Sequence, residues 1–211
     1  LYLDRCWSDE RAVAAALDAR ARAAAPIDPA TLTGALARMF PAAADADQRA
    51  AAATALLRPL AVIAGGPGTG KTTTIGRILA LVDGLEPLRP GRVALAAPTG
   101  KAAARLAEAV HEAVVALDLD HGARARLSVL PGTPLHRLLG VRPGSASRFR
   151  HDRAHRLPHT LVVVDEASMV SLPLMARLME ALRDDARLIL VGDPEQLVSV
   201  EAGAVLGDIV G

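Results

Sequence analysis

Aromatic residues are almost missing from this chain: Tyr2, Trp7, Phe40 and Phe149 are the only ones among 211 residues. A platform that stacks the bases of a single strand is built from several aromatic faces, so that mode of nucleic-acid binding is poorly supplied. Cysteine is reduced to Cys6, which excludes an internal disulfide framework and fits a reducing cytosol. No uninterrupted apolar run approaches the roughly 18 residues of a membrane span, and the N-terminus lacks the basic-then-apolar order of a signal peptide. The chain therefore reads as cytoplasmic, with no membrane partner. Lysine is scarce too: of 24 basic residues only Lys71 and Lys101 are lysines, and both follow a glycine in Thr-Gly-Lys. Where arginine is so preferred, lysine marks a place that needs a compact ammonium instead of a planar fork.

Residues 65–72 read Gly-Gly-Pro-Gly-Thr-Gly-Lys-Thr, a complete G-x-x-x-x-G-K-S/T loop that follows the apolar run Ala61-Val62-Ile63-Ala64. Its glycines let backbone N–H groups turn inward around phosphate oxygens. Gly66, Pro67, Gly68, Thr69, Gly70, Lys71, Thr72 and Thr73 are the expected cradle, Lys71 reaching the β- and γ-phosphates and the Thr72 hydroxyl ligating Mg²⁺. The competing reading is a chance glycine-rich turn, which the strand before and the helix after disfavour.

Before residue 61 the pattern is helical, over 9–25, 31–40 and 45–57, with Pro26, Pro29 and Pro41 as breaks. After it, strands at 61–64, 92–97, 161–165 and 187–192 alternate with helices near 70–82, 100–117 and 172–183. This predicts an α/β fold with a mainly parallel sheet covered on both faces, and together with the phosphate loop the layout resembles that of RecA-like phosphate-loop domains. Ligands bind beyond the carboxyl ends of such strands, so loops 65–70, 98–101, 165–168 and 193–196 are expected to converge.

Val164 leads into Asp165 and Glu166, a buried strand delivering two acids to the phosphate site. Asp165 is expected to hold Mg²⁺ and Glu166 to deprotonate the attacking water. A second strand ends in Gly192-Asp193-Pro194-Glu195-Gln196. Gln196 carries a donor and an acceptor and can sense the γ-phosphate, although an ordinary turn glutamine has the same look. Ala97-Pro98-Thr99-Gly100-Lys101 opens a helix and offers another anion site, better suited to a strand phosphate than to a second nucleotide; a plain turn with an exposed lysine is the alternative. Gln48, taken alone, is a surface residue, yet its amide could meet the donor and acceptor of an adenine edge. Residues 121–160 hold eight arginines against one acid, Asp152, an excess suited to a polyanion such as DNA or simply to a solvated insertion. His151, His155 and His159 recur at intervals of four, but Pro158 interrupts the helix and no cysteine is near, so no metal site is read there.

In this order the motifs resemble the first motor domain of superfamily 1 DNA helicases of the RecD type, the alpha subunits of bacterial RecBCD enzymes (exodeoxyribonuclease V). The specific stretches are Asp47-Gln48, residues 65–73, 97–102, 133–140, 164–169 and 192–206, with Trp7 and Glu10 upstream. The resemblance implies an ATP-hydrolysing motor moving 5′ to 3′ along single-stranded DNA in double-strand break repair and recombination. By position it implies that Gln48 reads adenine, that Lys71, Glu166 and Gln196 are catalytic, and that Pro98, Thr99, Lys101, His136 and Arg137 face DNA. It implies RecB-like and RecC-like partners, with residues 1–44 ending an amino-terminal partner-contacting domain and 45–211 forming the first motor domain. Cys6 stands where the family usually has tyrosine. A second motor domain and its arginine finger are expected beyond Gly211, so this excerpt is expected to hydrolyse ATP weakly. A RecD-like helicase outside such a complex, a phosphate-loop kinase or GTPase, and a non-catalytic ATP-binding assembly module are the alternatives.

Overall fold

A computed structural model describes residues 4–24, 27–141 and 149–193. Five strands form one all-parallel sheet: β1 (Leu60–Ala64), β2 (Val93–Ala97), β3 (Gly132–Pro134), β4 (Leu161–Val164) and β5 (Arg187–Gly192). Their order is β1-β5-β4-β2-β3. Pairing of Ala64 with Gly192, Val164 with Leu190, Ala96 with Val164 and Ala97 with Pro134 brings all five carboxyl ends to one edge.

The strands are apolar on both sides because helices cover both faces. On one face Ile63, Leu95, Val163 and Ile189 pack with α2 (Pro29–Met39), α3 (Ala46–Leu57), α4 (Lys71–Leu85), α5 (Gly100–Val115) and α6 (His121–Leu127). Alternate residues Val162, Val164, Leu188 and Leu190 meet α1 (Asp4–Arg22), α7 (Leu135–Leu139) and α8 (Leu172–Ala181) on the other. The two N-terminal helices thus join the two cores, α1 through Val13 and Leu17 and α2 through Leu32 and Leu36. Asp28 caps α2 by accepting from Thr31 N at 2.8 Å, with Pro29 at its first position. Polar ties fix α1: Arg177 donates to Asp9 at 2.8 Å, and Arg20 donates to the carbonyls of Ala186 and Arg183, each at 2.6 Å.

The described part of the basic segment is tied into the fold: Leu127, Leu135, Leu139 and Leu157 are fully buried, and Arg124, Arg126 and Arg156 bond to residues outside it. Arg126 grips the buried Asp83 with two bonds of 2.9 and 2.7 Å, Arg124 donates to Leu117 O, and Arg156 donates to Glu180 O and Leu182 O.

Burial pushes the Asp83 carboxyl up, but the Arg126 guanidinium and the Leu88 N–H outweigh it and hold the group below its ordinary value. A lowered folded pKa stabilises above the unfolded pKa and is lost as pH falls through the folded one. Asp83→Ala is therefore expected to cost about 2 to 4 kcal/mol in urea unfolding at pH 7. The gap to the parent should close at acid pH, where the parent carboxylate is also protonated. A gap independent of pH would mean that packing, not charge, is what Asp83 contributes.

Candidate active site

β1 runs into the glycine loop, whose first residue is tied back to the sheet by Gly65 N donating to Gly192 O at 3.2 Å. Thr69 Oγ1 closes the turn on Gly66 O at 2.9 Å. Gly68 and Gly70 take φ values of 76° and 77°, left-handed backbone that glycine adopts without strain. Gly70 is doubly constrained, since a Cβ there would lie 2.8 Å from Gln48 Nε2. The loop delivers Lys71, Thr72 and Thr73 to the first turn of α4, where backbone N–H groups have no helical acceptors. The Lys71 ammonium folds back over the loop and donates to Gly65 O and, at 2.7 Å, to Gly66 O. Pro67, Gly68 and Thr69 are exposed, and Gly66, Lys71 and Thr72 are half-buried.

The end of β4 lies close by. Asp165 N donates to Ala96 O at 2.9 Å, and Glu166 N donates to Asp165 Oδ1 at 2.9 Å. Burial pushes the Asp165 carboxyl up, offset in part by that N–H and by the charge of Lys71, so the two motifs share one electrostatic environment. Glu166 sits at φ 51°, ψ 39°, the one left-handed non-glycine residue among those described. Such backbone is strained, and strain of this kind clusters at functional sites. The following 3-10 turn, Ala167–Met169, buries Ser168, whose Oγ has no partner among the described residues.

The half-buried Asp165 carboxylate and the Thr72 hydroxyl at the head of α4 are hard oxygen donors, a set that fits Mg²⁺ when phosphates complete its shell. Among the described residues no group of three or more His, Cys, Asp or Glu is placed to hold a metal by itself.

Gln48, on α3, reaches the loop. Its Nε2 donates to Thr69 O at 3.5 Å and its Oε1 accepts from Arg77 Nη1 at 3.4 Å. Arg77 also pairs with Asp45 at 3.2 Å and stacks over Phe40, 4.9 Å from the ring centroid. Sequence reasoning missed Arg77 and Asp45. Their signal was an arginine in the second turn of the helix after the loop, which only the fold puts beside Gln48.

Along the same sheet edge, past β4, come the residues expected to face DNA. Thr99 caps α5, its Oγ1 accepting from Ala102 N at 3.2 Å, with Pro98 half-buried and Lys101 exposed beside it. A Cβ on Gly100 would lie 3.7 Å from Pro134 of the neighbouring β3, from which α7 presents exposed His136 and Arg137. The structure thus gathers Pro98, Thr99, Lys101, His136 and Arg137 at adjoining strand ends. Asp193 is buried after β5, while Gln196 lies outside the described residues.

A family model described as an AAA domain matches residues 48–202. The RecBCD enzyme subunit RecD of Mycolicibacterium smegmatis is 55% identical over 100% of this chain and 37% of its own length. That of Mycobacterium tuberculosis (strain H37Rv) is 56% identical over 100% of this chain and 36% of its length. The ATP-dependent RecD2 DNA helicase of Deinococcus radiodurans is 40% identical over 70% of this chain and 17% of its length. This chain spans 37% and 36% of the two RecD relatives. No helix among the described residues is long and apolar enough to cross a membrane. The parallel sheet, the glycine loop leading from β1 into α4 and the match over residues 48–202 lead to one conclusion: the chain belongs to the AAA-domain family, in the form its RecD relatives share.

Proposed function

We propose that this chain is the first motor domain, residues 45–211, of a RecD-type DNA helicase, with residues 1–44 closing an amino-terminal partner-contacting domain. The observation that carries the reading is one sheet edge that gathers two clusters suited to anions: the glycine loop and Asp165–Glu166 at β1 and β4, and Thr99–Lys101 beside His136 at β2 and β3. ATP is the substrate of the first site and single-stranded DNA the ligand of the second.

Lys71 exchanges its carbonyl partners for the β- and γ-phosphates, and Gln48 reads adenine. Thr72 and Asp165 would hold Mg²⁺ together with the phosphates, and the ion would supply neutralisation of the developing negative charge. Glu166 orients the attacking water and accepts its proton, its carboxylate left uncommitted to the metal. Gln196 senses the γ-phosphate. An arginine from a second motor domain completes the site, as in similar motors, and is worth about 10³ to 10⁵ in rate. Through this cycle the protein moves 5′ to 3′ on DNA in a complex with RecB-like and RecC-like subunits, serving double-strand break repair and recombination in the cytoplasm. The RecD2 relative supports a second reading, a helicase working without those subunits, and co-purification from cells separates the two.

The test uses the intact protein. It should unwind duplexes with a 5′ overhang, and unwinding of 3′-overhang duplexes alone would refute the reading. Lys101→Ala should weaken single-strand binding and lower the salt slope by about one phosphate contact; an unaltered slope removes Lys101 from the DNA path.

A further inference from the structure

A glutamine carboxamide has two carbonyl lone pairs and two N–H donors. In this structure one of each is already engaged: Oε1 of Gln48 accepts from Arg77 Nη1 at 3.4 Å, and Nε2 donates to Thr69 O at 3.5 Å. A guanidinium can only donate and a backbone carbonyl can only accept, so these two partners fix which end of the amide is which. One acceptor site and one donor remain. Adenine offers an amine donor at N6 beside an acceptor at N7, whereas guanine offers two acceptors, O6 and N7. The residual valence of Gln48 suits adenine and mismatches guanine, but only while the carboxamide is held in this sense.

Arg77 is held firmly enough to impose it. Its guanidinium stacks on Phe40, a residue with no exposed surface, and pairs with Asp45. It does so while leaving Nε buried with no acceptor among the described residues. Arg77 also lies on α4, the helix that begins at Lys71, so the clamp joins the base-reading glutamine to the phosphate loop as one unit. The bonds to Gln48 are long, as expected of a binding-site contact that tightens when ligand arrives.

We propose that Arg77 is the positioning residue for the Gln48 carboxamide and thereby sets the preference for adenine over guanine nucleotides. The proposal rests on the reading of Gln48 as the adenine contact. In the intact protein, ATP and GTP hydrolysis are compared for the parent, Arg77→Met, Arg77→Lys, Gln48→Ala, the double variant Gln48→Ala/Arg77→Met, and Asp45→Asn, with thermal melts for each. Arg77→Met should raise KM for ATP about tenfold, the equivalent of one lost hydrogen-bond preference, with KM for GTP no higher than the parent's and both kcat values unchanged. Arg77→Lys, which keeps a donor, should recover part of the loss. Asp45→Asn, which weakens the pair that holds Arg77, should lose part of the ATP-to-GTP preference, and the double variant Gln48→Ala/Arg77→Met should match Gln48→Ala instead of adding to it.

If Gln48→Ala lowers the preference but Arg77→Met and Arg77→Lys do not, the positioning role is wrong while the adenine reading stands. If Gln48→Ala itself leaves the preference intact, the adenine reading fails and this proposal with it. Equal rises in KM for both nucleotides, or additive single effects, would likewise overturn it.

Discussion

Glu166→Gln in the intact protein is expected to lower kcat for ATP hydrolysis by about 10² to 10⁴ while nucleotide affinity stays within a few-fold. The expectation follows from what the substitution keeps. Glutamine has the same length and retains the backbone N–H that donates to Asp165 Oδ1 at 2.9 Å. It must occupy the same left-handed backbone, so the turn that aims the side chain is loaded equally in both proteins. What disappears is the carboxylate that takes a proton. Asp165 is not expected to substitute, because its proposed Mg²⁺ role commits its carboxylate elsewhere. Single-turnover hydrolysis with prebound ATP separates chemistry from binding and release. A loss smaller than about fivefold would make Glu166 a bystander and put the base on another residue. Lys71→Gln should differ in kind, weakening phosphate binding as well as turnover, since its ammonium lies over the loop itself.

How far the sequence reaches depends on whether a signal is local. The glycine loop and the Asp165–Glu166 pair are short contiguous strings whose chemistry needs those residue types, and each follows an unbroken apolar strand; the structure brings both to one sheet edge. Four of the five strands and the longer helices follow for the same reason, shifted by a few residues, as with α4 continuing to Leu85 and α1 beginning at Asp4, whereas α6 and α7 are too short to show a period. β3 escapes because Gly132-Thr133-Pro134 has neither length nor alternation, and glycine and proline argue against a strand. It exists because β2 offers a free edge and α5 lets a backbone come close. In the basic stretch two arginines, Arg126 and Arg153, pair with Asp83 and Glu180, acids remote in sequence that a composition count of residues 121–160 does not include. The proline breaks that set off residues 1–44 are local signals, whereas the packing of α1 on α8 and of α2 on α4 joins segments remote in sequence and leaves no such signal. Arg77 shows the same limit at the site, since a clamp across three helices leaves no periodic trace.

Gly132→Ala is the substitution with the largest expected effect on the fold. A Cβ at this position would lie 1.9 Å from the carbonyl oxygen of Ala103 and 2.5 Å from its carbonyl carbon, both backbone atoms of α5, with Ala107 Cβ at 3.2 Å. No rotamer can relieve such an overlap. Either α5 lifts or β3 leaves β2, and both routes unpack Leu106 and Leu135, which lie in the two cores on opposite faces of the sheet. Overpacking commonly costs about 1 to 3 kcal/mol where side chains can yield, and here only backbone can, so a loss of at least about 3 kcal/mol is expected in urea unfolding. Function should follow the geometry. Thr99 and Lys101 head α5, while Pro134 and His136 follow Gly132, so a variant that stays folded separates the two halves of the proposed DNA site. Its single-strand affinity should fall more than its affinity for ATP, because the glycine loop on β1 is at the far side of the sheet. Equal losses of both would mean that the strain spreads through the whole sheet, and an unchanged stability would show that α5 does not approach β3 as closely as 1.9 Å demands.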